Sequence, residues 1–184
     1  ELDSQATVVE AVKKGEVDLG IAFLTYRQSA EAQGLVPVSY LDGEDEWAGF
    51  ICCRMFTTRE KLEANRDAYV AALKANIRAY ELMQTNEDET IKYALQELET
   101  DEDTIRSQVY EYEHIGFSPN PDVKDTDQFF QAMVDIGYSE GNVDMKDYID
   151  PTVFEDALNE LLQEDPDNEV YLQLQAEDQA TNQD

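Results

Sequence analysis

Carboxylates are spread through the whole chain rather than gathered in a tail. Of 184 residues, 42 are Asp or Glu and 13 are Lys or Arg, so the formal net charge is −29. Acidic blocks recur at 42–46, 87–89, 97–103, 111–113 and 164–169. Self-repulsion of this size destabilises any compact state at low salt. At molar salt the Debye length falls to about 3 Å and the repulsion is screened. Dispersed acid beside 10 Tyr and 7 Phe therefore reads as a protein adapted to high salt, as in a halophile. The apolar content, 42% of residues, is enough to fill a core and speaks against wholesale disorder. The charge also speaks against partners that carry phosphates. No basic stripe is present to hold nucleic acid, and an anionic membrane surface would repel the chain. No apolar run approaches the roughly 20 residues needed to span a bilayer, and no signal peptide is visible.

The order of local patterns predicts strands first and helices after. Ser4 is positioned as an N-cap, Val8, Val9 and Val12 form a short stripe, and Gly15 ends the first helix. Val17 to Phe23 alternates apolar residues and reads as a strand, as do Leu35 to Leu41 and Trp47 to Thr57. Ser29 to Gln33 is one helical turn closed by Gly34. Thr57 with Glu60 fits a capping box, and Leu62, Tyr69, Val70, Leu73, Ile77 and Tyr80 then recur at helical spacing. Further helices are expected from Asn86, from Thr100, over 126–136, and from Asp150-Pro151, where Asp caps and Pro takes the first helical position. Residues 166–184 read as a mobile acidic tail. Three strands make a poor sheet by themselves. Together with a start in mid-pattern, this leads us to expect the C-terminal part of something longer.

Signatures of catalysis are sparse. One histidine, His114, excludes histidine-based metal clusters, and there is no phosphate-cradling glycine loop, nucleophile elbow or Cys-x-x-Cys. The only cysteines, Cys52 and Cys53, are adjacent. Their Cα atoms lie about 3.8 Å apart, below the usual disulfide span of about 4.4–6.8 Å. On a strand, Phe50, Cys52 and Arg54 share one face while Ile51, Cys53 and Met55 share the other. Two readings of the first face stay open: a pocket for an anionic or polar ligand, or buried thiols with Arg54 paired to a surface acid. Tyr26, at the C-terminal end of the first strand, and Trp47, just before the third, are better cleft candidates than the other aromatics, with a packing role in the core the equal alternative for each.

Several segments resemble, in order, the nitrate/sulfonate/taurine and thiamine-pyrimidine-precursor class of ABC-transporter substrate-binding proteins. They are Val8 to Asp18, Gln33 to Val38, Thr57 to Tyr80 with Glu63-Ala64-Asn65-Arg66-Asp67-Ala68-Tyr69-Val70, Asn86 to Tyr93, Phe129 to Gly137 and Asp150 to Leu162. The resemblance implies an α/β, type II periplasmic-binding fold, with two lobes and a ligand cleft between them. Residues 1–34 would end the second lobe, 35–48 would cross the hinge, and 49–165 would supply a largely helical part of the first lobe. Tyr26, Trp47, Phe50, Cys52 and Arg54 would then line the cleft. The implied function is the extracytoplasmic, surface-anchored solute-binding component of an ABC importer. It would close on a small anionic or heteroaromatic solute and be recognised by the transporter's membrane subunits, with no resident cofactor or metal. The cysteine pair resembles part of the cysteine run of the thiamine-pyrimidine synthase branch, which implies an iron-dependent enzyme as the alternative. A third reading is a helical interaction module that binds no small ligand and carries a partner-sized apolar patch.

Overall fold

The computed structural model describes residues 4–23, 26–40, 53–111 and 117–182. The described residues divide between two compact units, one within 1–49 and 98–115 and the other within 50–97 and 116–184. Among them there is no β-strand, and the fold is all-α. This overturns the expected α/β periplasmic-binding architecture. The alternating segments do exist, but residues 17–23 and 35–38 and the described end of the third candidate, residues 53–57, pair with no neighbouring strand. A strand is defined by a second backbone that bonds to it, and among the described residues none is supplied.

In the first unit, α1 (Gln5–Lys13) starts as expected. Its cap residue Ser4 accepts a hydrogen bond from the Thr7 amide at 3.2 Å. Gly15 follows with φ +71°, a left-handed turn that favours glycine. The chain then runs through 17–23 without helix, and its Phe23 amide donates to Gln5 Oε1 at 3.0 Å. The short helix α2 (Arg27–Ala32) ends near Gly34, and the Lys13 ammonium donates to Gln33 Oε1 at 2.8 Å. Later in the chain come α3 (Arg59–Ala64), α4 (Arg66–Thr85) and α5 (Glu87–Glu97), which belong to the second unit. The first unit resumes with α6 (Glu102–Arg106), capped by Asp101 and continued by a π-helical stretch, Ser107–Glu111. Thr104 on α6 donates to Gln28 on α2 at 3.3 Å.

The second unit is completed by α7 (Val123–Asp135), a short 3-10 turn Met145–Tyr148, α8 (Thr152–Glu164) and α9 (Glu169–Thr181). Its core joins α4, α8 and α9. Val70 and Ile77 on α4 meet Phe154, Ala157, Leu158 and Leu161 on α8, with Tyr171 and Leu174 on α9. The helical spacing of these residues puts them on single faces. Burying each large side chain contributes about 1.5–3 kcal/mol. At the start of α8, Asp150 accepts from the Thr152 amide at 3.1 Å and from its hydroxyl at 2.6 Å. The cap of α3 is Thr58 rather than Thr57, whose hydroxyl instead bonds the Tyr69 phenol at 2.7 Å.

The stretch 166–184, expected as a tail, contains α9. Its cap is Asn168, whose Oδ1 accepts from the Tyr171 amide at 3.2 Å. Tyr171 and Leu174 then anchor it in the core, and the Tyr171 hydroxyl donates to Glu81 on α4 at 2.6 Å. Two buried apolar residues on one side of an otherwise polar helix are sufficient once two helices are waiting to receive them.

Candidate functional site

Of the five residues expected to line a cleft, the structure describes two. Tyr26 stands at the N-terminal end of α2 in the first unit, half-buried, with its amide donating to the Phe23 carbonyl at 2.9 Å. Arg54 belongs to the second unit. Its guanidinium donates through Nε to the Pro121 carbonyl at 2.7 Å and through Nη2 to Thr126 Oγ1 at 3.3 Å. The same guanidinium reaches back to the Cys53 carbonyl at 3.2 Å. Trp47, Phe50 and Cys52 lie outside the described residues, as does His114. Cys53 is an exposed free thiol.

The anchor that Arg54 reaches is a buried polar cluster at the start of α7. Asn120, Asp122 and Asp178 are almost fully buried. Asp122 has φ +50°, a left-handed conformation that costs a non-glycine residue strain. Its carboxylate caps α7 by accepting from the Asp125 amide at 3.1 Å. Asn182, just past α9, donates to Asn120 Oδ1 at 2.6 Å and to Asp178 at 2.7 Å, and accepts from the Val123 amide at 2.9 Å. Asn120 in turn donates to Thr181 at 3.0 Å. Burial pushes the Asp122 carboxyl up from the ordinary aspartate range, while the Asp125 amide and the Arg54 charge pull it down. Each buried group here has a partner, so the cluster ties the end of α9 to the start of α7. Sequence reasoning did not find this cluster. The available signal was Asn120-Pro121-Asp122, two side chains suited to capping amides in a tight turn.

A second charged feature lies along α4 and α8. Arg66 bonds Asp156 at 2.7 Å, Lys74 bonds Glu160 and Glu164 at 2.8 Å each, and Arg78 pairs with Glu164. These pairs border a shallow groove over Val70. The hydrogen bonds from Lys74 and Arg78 hold the Glu164 carboxyl below its usual range. The three cations of α4 are thus occupied by acids of α8. Among the described residues no group of three His, Cys, Asp or Glu converges as a metal site, and no helix is long and apolar enough to cross a membrane.

The first unit presents a different kind of surface. Along 17–23 the odd-numbered residues are all apolar: Leu19, Ile21 and Phe23 are 64%, 86% and 72% exposed, and Val17 is exposed as well. The run is nonetheless held against α1. A Cβ added at Gly20 would lie 2.6 Å from a Val8 methyl and 2.9 Å from a Val12 methyl, so the backbone itself presses on the helix there. Among the described residues, no backbone amide or carbonyl of residues 17–22 has a hydrogen-bond partner. Val36 and Val38, in the same unit, repeat the pattern on a smaller scale. No family model, curated protein or solved structure matches this chain.

Proposed function

We propose that this chain is a helical interaction module, in which an acidic helical scaffold displays an apolar run to a partner polypeptide. The observation that carries the reading is the row Val17, Leu19, Ile21 and Phe23, exposed on a backbone that has no partner of its own. Single exposed apolar residues are ordinary on a protein surface, whereas a contiguous row of large ones marks a binding surface. The solute-binding reading drew its cleft from two α/β lobes, and the all-α fold removes that support. Arg54, which would have met an anionic solute, is engaged with Pro121 and Thr126.

The test is site-specific photo-crosslinking in the cell that makes the protein. A benzophenone amino acid replaces Ile21 in one variant and the exposed Glu63 in another. The expected result is a discrete adduct of higher mass from position 21 only, abolished when Leu19 and Phe23 are both changed to Ser. Equal crosslinking from both positions, or none from 21, overturns the reading. A thermal-shift panel of nitrate, sulfonates, taurine and aminopyrimidines in molar KCl is expected to leave the melting temperature unchanged. A saturable shift by one of them would return the solute-binding reading.

A further inference from the structure

The chemistry of residues 17–23 says more than that a partner binds. We propose that this run takes up an extended segment of a different, cationic polypeptide, which adds to it as a β-strand. This deepens the interaction-module reading and rests on it.

Three observations select that occupant. The first is the backbone. Residues 17–22 have amides and carbonyls without hydrogen-bond partners, and a second extended main chain is the occupant that offers donors and acceptors at the matching repeat. The second is the side-chain period. Beyond the bend at residues 16–18, Leu19, Ile21 and Phe23 occur at every second position, and a strand of alternating apolar residues is complementary to that spacing. A helix laid on the run would match one or two of them and leave the backbone unbonded. The third is charge. Glu16 and Asp18 flank or interrupt the row, and Glu10 already draws Lys13 and Lys14 at 3.9 and 4.0 Å. At molar salt only contact-range charges survive screening, so Glu16 and Asp18 beside the row attract a cationic segment laid on it and repel the same two carboxylates of a second copy. The backbone at Gly20 lies against Val8 and Val12 of α1 and the Phe23 amide is tied to Gln5, so residues 20–23 are positioned on α1 at two points.

The probe is an N-acetylated nine-residue peptide alternating Val and Lys. Two controls accompany it: the same peptide with every second amide N-methylated, and a Val/Glu peptide. Binding is read by fluorescence anisotropy at the lowest KCl concentration at which circular dichroism shows the helices intact. The Val/Lys peptide is expected to bind at least tenfold more tightly than either control. The double variant Leu19→Ser, Ile21→Ser is expected to weaken it at least tenfold while keeping the helical spectrum, since both side chains are already exposed. If the N-methylated peptide or the double variant binds as well as its parent, the peptide is held by surface charge alone and the proposal falls. No binding of the Val/Lys peptide also overturns it. So does sedimentation as a dimer that the double variant abolishes, because the occupant is then a second copy. The two levels separate cleanly: an adduct at position 21 with no effect of N-methylation keeps the interaction module and removes strand addition.

Discussion

In the second unit Ile77, Phe154 and Leu174 lose essentially all contact with water, whereas in the first unit Leu19, Ile21 and Phe23 keep most of theirs. The two sets are equally apolar. They differ in the period at which they recur. Residues at helical spacing sit on an element that satisfies its own backbone, so α4, α8 and α9 need only one another to bury them. Residues at a period of two sit on a backbone that does not satisfy itself, and among the described residues no second strand is set beside this one. The second unit therefore buries its apolar set within itself, whereas among the described residues of the first unit this row stays exposed.

The sharpest way to break that contrast is at the centre of the complete unit. Phe154→Ala opens a cavity between α8 and its neighbours and is expected to cost about 3–5 kcal/mol, read as a shift in urea midpoint. Tyr171→Phe keeps the ring and removes the donor that Glu81 accepts, with an expected loss of about 1.5–3 kcal/mol below pH 9. It also has a pH signature. Burial first, and then the bond to Glu81, push the Tyr171 phenol up from 10.0 to about 12. The native state thus prefers the neutral phenol more than the unfolded chain does. That preference is fully present below about pH 10 and is lost as pH rises toward 12. Unfolding scans over pH 9–12 are expected to show a steeper decline for the parent than for Tyr171→Phe; parallel curves would remove this tyrosine from the linkage.

The first unit should respond to backbone placement more than to its displayed side chains. Gly20→Ala puts a Cβ against stiff valine side chains on α1, with an expected cost of about 1–3 kcal/mol. Amide exchange in α1 is the direct readout, and unchanged protection would show that the run yields freely. Ile21→Ser is the smallest change, expected within about 0.5 kcal/mol of the parent because the side chain is already in water. A larger loss would mean that the row is covered within the chain, and the contrast between the units would dissolve.

The helices were largely legible in the sequence because their signals are local. Ser4 and Asn86 mark starts that the structure keeps, with Asn86 Oδ1 accepting from the Glu89 amide at 3.1 Å, and the start expected at Asp150-Pro151 comes one residue later, with Pro151 in the cap position and Thr152 first in α8. The row from Val17 to Phe23 was also legible as a pattern, but the pattern states what the residues require and not whether the chain supplies it. That is why three strands were expected and none is found among the described residues. Helix α9 was missed for the opposite reason, since Tyr171 and Leu174 are diluted by polar neighbours and only the waiting faces of α4 and α8 give them meaning. The buried cluster around Asp122 was out of reach because it joins residues about 60 positions apart, as in the bonds from Asn182 to Asn120 and from Val123 to Asn182.

The pairing of α4 with α8 has a kinetic consequence. Arg66 and Asp156 are 90 positions apart, and Lys74 and Glu160 are 86 apart. Helical proteins fold fast when neighbours in space are neighbours in sequence. Here the short-range partners, α4 with α5 and α8 with α9, can form early, but the core exists only after a long loop has closed. Stopped-flow refolding is expected to show helical signal gained ahead of tyrosine burial, with Leu161→Ala slowing only the later phase. A single phase common to both probes would place loop closure at the very beginning, with the helices forming on top of it.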